Sequence, residues 1–148
     1  MDGGKKLGVL VADVCGHGIA ASFITAMTKI TFRNACFTTT DPAKVLDSMN
    51  RVLLTNIKNG YVTAFYGILD WERGEFAYAS GGHPPLMVHR RSENRLFDLQ
   101  PQSTFLGFFD KVKFSTDVLP ILPGDRIVYY TDGLYESRNA QDEYFTTA

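Results

Sequence analysis

The amino-acid sequence predicts an α+β domain, in which two adjacent helices are followed by a series of antiparallel strands. Two patterns indicate this class. After an initial strand, apolar residues recur every three or four positions up to Gly60, whereas short β-rich segments separated by turn residues follow from Tyr61 onward. Because strands and helices do not alternate regularly, a doubly wound parallel sheet is not expected. The 148 residues, 45% of them hydrophobic, suffice for one domain with its own core.

The first predicted elements are a strand from Leu7 to Val14 and a helix from Ile19 to about Phe37. Asp41 and Pro42 predict the start of a second helix, because Asp accepts hydrogen bonds from the open amides and Pro needs no donor at the first helical position. This helix is expected to end before Gly60. The residues predicted to face the core are Ala20, Phe23, Met27 and Ile30 in the first helix and Val45, Leu46, Met49, Val52 and Leu53 in the second.

The remaining predicted elements are short strands. Two hairpins are expected, with turns at WERGE and RSEN; their strands are VTAFYGILD, EFAYAS, LMVHR and RLFDL. Two further strands, Val112 to Leu119 and Arg126 to Thr131, are joined by the turn PILPGD. We interpret GGHPP, residues 81–85, as a rigid turn that contributes shape rather than chemistry. The tail from Tyr135 has no clear pattern.

The charge balance gives no electrostatic reason to expect a polyanionic partner. The chain has 15 basic and 16 acidic residues, a net charge of -1, which favours neither nucleic acid nor an anionic membrane as a partner. No apolar run reaches the roughly 18 residues of a membrane span, and MDGGKK lacks the apolar core of a signal peptide. We therefore expect a cytoplasmic protein, in which Cys15 and Cys36 are reduced and buried.

Two predicted strands end in an aspartate. Asp13 lies at the end of the first strand and precedes GHG at residues 16–18, and Asp132 with Gly133 follows the last strand. If these strands are neighbours in one sheet, both carboxylates emerge at one edge and form a hard oxygen site for magnesium or manganese. The alternative, from these residues alone, is that Asp13 caps the following helix and that Asp132 and Gly133 form a turn.

Four motifs occur in a fixed order between about Leu7 and Phe145. They are ADVCGHGIAAS, ASGGHPPLMV, STFLGFF, and LPGDRIVYYTDGLYESRN followed by EYF. Together they resemble the catalytic domain of the SpoIIE-type (RsbU-like) members of the PPM family, the metal-dependent protein serine/threonine phosphatases. The resemblance implies a β-sandwich of two antiparallel sheets flanked by helices, in the layer order α-β-β-α, with a two-metal site at one end.

The resemblance also implies roles for individual residues. Asp13 matches the aspartate that bridges two metals, the backbone carbonyl of Val14 matches a ligand of one metal, and Asp132 matches the aspartate of the later TDG motif. The glycines that would shape the loops around the phosphate are Gly16, Gly18 and Gly133.

His17 is a candidate general acid, which would protonate the leaving alcohol. The alternative for His17 is an imidazole that hydrogen-bonds the loop or faces solvent. Cys15 is not expected to be a nucleophile, because no third group is evident that would orient a base toward its thiol.

Members of this family usually supply one acidic ligand upstream of the first motif and another near the carboxyl end, and neither has a counterpart here. We therefore expect residues 1–148 to be a single partial domain, incomplete at both termini, that holds at most one Mn²⁺ or Mg²⁺ where a complete domain holds two. Two bound metals would require further acidic ligands, such as Asp2, Glu136, Asp142 or Glu143. Exposed sheet edges or apolar surface predict a homo-oligomer.

The function implied by the resemblance is dephosphorylation of phosphoserine or phosphothreonine by metal-activated water. The expected substrate is a phosphorylated bacterial regulatory protein, such as an anti-sigma-factor antagonist. The alternative is a catalytically inactive module for binding or dimerisation, because part of the metal site is missing.

Overall fold

Seven strands and two α-helices are present in residues 4–144, the part of the chain that the computed structural model describes. Asp2 and Phe145, which carry two of the sequence predictions, lie outside this part. The elements are β1 (Lys6–Val14), α1 (Gly18–Thr38), α2 (Pro42–Asn56), β2 (Val62–Asp70), β3 (Glu75–Gly81), β4 (Leu86–Arg90), β5 (Arg95–Leu99), β6 (Asp117–Pro120) and β7 (Arg126–Val128).

The strands form two antiparallel sheets, with the orders β1-β2-β3-β6 and β5-β4-β7. In the first sheet β1 pairs with β2 along its full length, from Lys6 opposite Asp70 to Val14 opposite Val62. The two sheets confirm the predicted class. However, β1 and β7 belong to different sheets, so the condition that the two aspartate-bearing strands are neighbours in one sheet is not met.

Helix α2 begins and packs as its sequence predicts. The Asp41 side chain accepts a hydrogen bond of 3.0 Å from the Ala43 N–H, and Pro42 occupies the first turn. Of the core residues predicted in α2 only Val52 is exposed, at 42%; the fully buried ones are Val45, Leu46, Met49 and Leu53. Both α-helices pack on the four-stranded sheet. The described residues contain no third α-helix, so the second helical layer of the predicted α-β-β-α order has no counterpart there.

Helix α1 buries a different face from the predicted one. Phe23 and Ile30 are 70% and 60% exposed, Ala20 is exposed, and Met27 is half-buried. The buried residues of α1 are Thr28, Thr31 and Ala35. These smaller side chains suit the close contact of α1 with α2, and the Thr28 hydroxyl is satisfied internally because it donates to the Ile24 carbonyl.

Strand β2 separates two apolar layers, because successive side chains point to opposite faces. Val62, Ala64, Tyr66 and Ile68 contact the layer beneath the helices. Phe65 instead joins side chains of both sheets in the second layer; its other buried members are Phe76, Tyr78, Leu86, Val88 and Leu99. The second layer therefore lies between the two sheets.

The last two strands are shorter than predicted. Strand β6 covers Asp117–Pro120 rather than Val112 to Leu119, and β7 covers Arg126–Val128 rather than Arg126 to Thr131. In the segment before β6, the Ser103 hydroxyl donates a hydrogen bond to the Lys113 carbonyl. Strand β7 has one short partner segment in β4, which limits its length. Neither α-helix of residues 4–144 has the length and hydropathy that a membrane span requires.

Candidate active site

Asp13 lies near the end of β1, directly opposite Thr63 of β2. Opposite residues of an antiparallel pair share one face of the sheet. Thr63 has the same parity along β2 as Phe65, which contacts the layer between the sheets. Asp13 and Thr63 are therefore placed on the inner face of the sandwich, at one end of the space between the sheets.

Asp132 lies four residues beyond the end of β7, at the start of a short 3₁₀ turn, Asp132–Leu134. Its backbone carbonyl accepts hydrogen bonds from the N–H groups of Tyr135 and Glu136, at 2.9 and 2.8 Å. The predicted turn at Asp132 and Gly133 is therefore present. Gly133 does not adopt a positive φ, so this turn does not require glycine at that position.

His83 connects the two sheets near these aspartates. Its side chain is 1% exposed, and its two ring nitrogens lie 3.1 Å from the Thr63 hydroxyl and 3.0 Å from the Tyr130 carbonyl oxygen. Thr63 belongs to β2 in the first sheet, whereas Tyr130 follows β7 of the second sheet. One buried imidazole thus joins the strand beside Asp13 to the segment that leads to Asp132.

The electrostatic surroundings of His83 include both aspartates. Burial lowers the pKa of His83 below its ordinary value, while the Tyr130 carbonyl, Asp13 and Asp132 act in the opposite direction. Both carboxylates therefore act on the same ring. Asp13 belongs to the first sheet, whereas Asp132 follows the last strand of the second sheet.

The donor set suits a hard divalent cation. Asp13, Asp132 and the Val14 carbonyl offer oxygen ligands, which Mg²⁺ and Mn²⁺ prefer. Both nitrogens of His83 are occupied by Thr63 and Tyr130, so the imidazole is not free to ligate. Among residues 4–144 no group of three or more His, Cys, Asp or Glu side chains is placed to hold a metal. Water or further ligands would therefore have to complete a shell of about six.

The GHG loop has the backbone that its glycines permit. Gly16 and Gly18 have φ values of +87° and +80°, and no atom lies within 4 Å of the position that a Cβ would occupy at either residue. Conformation rather than crowding therefore favours glycine at both positions. His17 occupies the N-cap position of α1, is exposed, and makes no capping hydrogen bond.

The structure bears on the alternative roles of Asp13 and His17. The alternative in which Asp13 caps α1 is wrong, because β1 continues to Val14 and the N-cap residue is His17. For His17, the loop-bonded alternative has no hydrogen bond to support it in the described residues, and the side chain faces solvent. A role of His17 as a general acid stays a prediction.

A groove of about 690 Å³ runs from the aspartate end of β1 along α1. Asp13, Val14 and the GHG loop line one end of this groove, and Lys29 of α1 contributes a positive charge further along. Cys15 lies just beyond β1, where its sulfur accepts a hydrogen bond of 3.2 Å from the Tyr61 N–H. Both cysteines are free and half-buried.

His83 is the residue whose importance the sequence did not reveal. GGHPP is a turn between strands, as predicted, but it leads from β3 of the first sheet to β4 of the second. The only signal in the sequence was a titratable residue held between two glycines and two prolines. Burial of that residue depends on the packing of the sheets, which the local sequence does not reveal.

The chain is similar to several characterised proteins. The profile of Stage II sporulation protein E (SpoIIE) matches residues 3–148. "Phosphoserine phosphatase RsbU" of Bacillus subtilis is 30% identical over 135 residues, which cover 90% of this chain and 40% of that protein. The chain therefore spans less than half the length of this curated relative.

Two solved structures have the same fold. The RsbU and RsbW domains of Rv1364c from Mycobacterium tuberculosis superpose with a TM-score of 0.80 at 27% identity, over 91% of this chain and 38% of that one. RsbX in complex with magnesium superposes with a TM-score of 0.74 at 25% identity, over 88% of this chain and 62% of that one.

Proposed function

Because the chain belongs to the Stage II sporulation protein E (SpoIIE) family, we propose that it is a metal-dependent phosphatase domain that hydrolyses phosphoserine or phosphothreonine in a protein. The observation that carries this proposal is that the buried His83 ring hydrogen-bonds to Thr63, which lies opposite Asp13, and to the Tyr130 carbonyl, two residues before Asp132. The similarity to a phosphoserine phosphatase supports the reaction class. The similarity to RsbX in complex with magnesium supports a divalent cation.

The residues of the chain have distinct tasks in this reaction. Asp13, the Val14 carbonyl and Asp132 would hold Mg²⁺ or Mn²⁺. When bound, the cation lowers the pKa of a water and neutralises charge on the phosphoryl oxygens. The GHG loop brings backbone close to the phosphate, and the open N–H groups at the start of α1 favour an anion there. The exposed imidazole of His17 donates a proton to the leaving alcohol.

The proposed substrate is a phosphorylated bacterial regulatory protein, such as an anti-sigma-factor antagonist. The open groove along β1 and α1 supports a segment of a protein as substrate, because it extends from Asp13 along α1 as far as Phe32. Lys29 in this groove favours an acidic or phosphorylated segment. A cytoplasmic location stays a prediction from the sequence.

Phosphate release from a phosphoserine peptide tests the reaction. We expect turnover with Mn²⁺ or Mg²⁺, loss of turnover in EDTA, and recovery when Mn²⁺ is restored. Glu72→Gln is the control variant and should keep the turnover of the wild type. Glu72 is an exposed carboxylate at the opposite end of the sheet, where it pairs with Lys5. Metal binding by calorimetry without any turnover would contradict the phosphatase and favour a binding or dimerisation module.

We also propose that this chain binds at most one cation and self-associates. The three oxygen donors described above are too few for two cations. β1 is an edge strand of the described sheet, and α1 exposes large apolar side chains, namely Ile19, Phe23, Ile30 and Phe37. Sedimentation tests the association and calorimetry tests the stoichiometry. A stable monomer would contradict the self-association, and two cations bound at micromolar concentration would contradict the limit of one cation.

A further inference from the structure

We propose that His83 is a positioning residue, which sets the separation of Asp13 and Asp132 by hydrogen-bonding to both sheets through a neutral ring protonated on Nε2. The proposal rests on the proposed function, in which these two carboxylates share a cation. Its physical basis is the path from Asp13 through Thr63, His83 and Tyr130 to Asp132. Each step on this path is a strand pairing, a hydrogen bond or a short stretch of chain.

The protonation state follows from the two partners of the ring. The Tyr130 carbonyl can only accept a hydrogen bond, so Nε2 of His83 must donate to it. In a neutral ring Nδ1 then carries no proton and accepts from the Thr63 hydroxyl. Burial at 1% exposure favours the neutral ring over the charged one. Donor and acceptor are thus assigned at both nitrogens.

The loop that carries His83 is itself firmly held. Gly82 has a φ of +65°, and its N–H donates a hydrogen bond of 2.8 Å to the Ser103 carbonyl. A Cβ at Gly82 would lie 2.8 Å from the Phe105 nitrogen, so the loop packs tightly against the neighbouring segment. Pro84 and Pro85 follow and restrict the backbone further. A rigid loop of this kind can transmit the position of one sheet to the other.

The segment that leads to Asp132 follows a shorter strand ladder than the one that holds β1. β7 pairs with β4 only from Arg126 to Val128, so Tyr130 lies beyond the described ladder. The His83 bond to the Tyr130 carbonyl therefore fixes the segment two residues before Asp132. His83 is not itself placed to react, since it is buried and both of its nitrogens are engaged.

Two amide substitutions separate this role from simple core filling. In His83→Gln, the amide nitrogen lies the same number of bonds from the backbone as Nε2 and can still donate to the Tyr130 carbonyl. In His83→Asn, the amide reaches only the Nδ1 position, beside Thr63. We expect Mn²⁺ binding, measured by calorimetry, to weaken less than threefold in His83→Gln and at least tenfold in His83→Asn. Equal affinities in two folded variants would overturn the proposal.

Two further measurements test the hydrogen bonds of His83. Thr63→Val removes the hydroxyl, whereas Thr63→Ser retains it. We expect weaker Mn²⁺ binding in Thr63→Val only. If the His83 variants fail to fold, equal Mn²⁺ affinities of the two Thr63 variants would count against the proposal. Nitrogen-15 NMR of the metal-free protein is expected to show His83 protonated on Nε2 alone. A proton on Nδ1 alone would overturn the assignment. Because this spectrum needs no metal, failure of the wild-type chain to bind Mn²⁺ would contradict the proposed function separately.

Discussion

The two strand ends that carry Asp13 and Asp132 are supported in different ways. β1 has nine residues, all paired with β2, and Asp13 belongs to that ladder. β7 has three residues, and Asp132 lies beyond it in a 3₁₀ turn. The backbone ladder therefore holds the residue that carries the first carboxylate, whereas a short turn and the His83 bond to the Tyr130 carbonyl hold the segment of the second. Changes in loops and buried polar groups should displace Asp132 more than Asp13.

A second buried polar group supports the other end of β7. The Asp125 side chain is fully buried, and it accepts hydrogen bonds from the N–H groups of Leu122 and Arg91 at 3.0 and 3.2 Å. Arg90 Nε lies 3.2 Å from the same carboxylate. β7 is therefore held by Asp125 immediately before its first residue and by the His83 contact with Tyr130 after its last.

The largest expected effect is the loss of either carboxylate. Asp13→Asn and Asp132→Asn are each expected to lower metal-dependent phosphatase activity by at least about 10³-fold, because an amide cannot supply the negative charge that a cation requires. The measurement is phosphate release at saturating Mn²⁺, with circular dichroism to establish folding. Turnover unchanged in both folded variants would remove the basis of the site.

The second-largest effect is expected on the stability of β7 and the segment that leads to Asp132. Asp125→Asn is expected to lower the free energy of unfolding at pH 7 by about 3 kcal/mol, because it leaves Arg90 without its buried partner. Urea unfolding measures this change. Asp47→Asn is the matched control, since the exposed Asp47–Arg51 pair is expected to contribute below about 0.5 kcal/mol. Hydrogen exchange should increase in residues 126–134 and not in β1.

The pH dependence of the same carboxylate has a definite sign. Burial alone raises the pKa of Asp125, but the Leu122 and Arg91 N–H groups and Arg90 outweigh it, so the pKa is lowered. The stabilisation is therefore complete above the unfolded pKa of about 3.9 and is lost as the pH falls through the folded pKa. Below about pH 4 the stabilities of wild type and Asp125→Asn should converge. A constant difference down to pH 2 would contradict this assignment.

A smaller effect is expected at the loop beside Asp13. His17→Ala should lower the rate by about 10²-fold for substrates with poor leaving groups and much less for nitrophenyl phosphate, because only a poor leaving group needs a proton. Stability should change little, since His17 is exposed and makes no capping bond. Equal rate losses for both substrates would exclude a general acid.

The smallest effect is expected for Cys15→Ser. A serine oxygen can still accept the hydrogen bond from the Tyr61 N–H, so activity should stay within a few fold of wild type. Steady-state kinetics on the phosphoserine peptide measure this. An inactive but folded Cys15→Ser protein that still binds metal would indicate a thiol mechanism.

Local elements of the fold were predictable because their signals lie within a few residues. The Asp41–Pro42 start of α2 and the β2–β3 hairpin need only a capping residue, a turn and a repeating pattern. The buried face of α1 was not predictable in this way. It carries apolar residues on both sides, and only contact with α2 selects the face with Thr28, Thr31 and Ala35.

The sequence by itself determined that aspartates follow two apolar strands and that glycines flank His17, because strand patterning and backbone freedom are local properties. Only the tertiary structure decided that these aspartates follow strands of different sheets and that His83 bonds to the segments beside both of them. The two hydrogen bonds of His83 join residues 20 and 47 positions away in the chain. Such contacts exist only when the two sheets stack, since packing of the whole core, and no local pattern, brings Thr63, His83 and Tyr130 together.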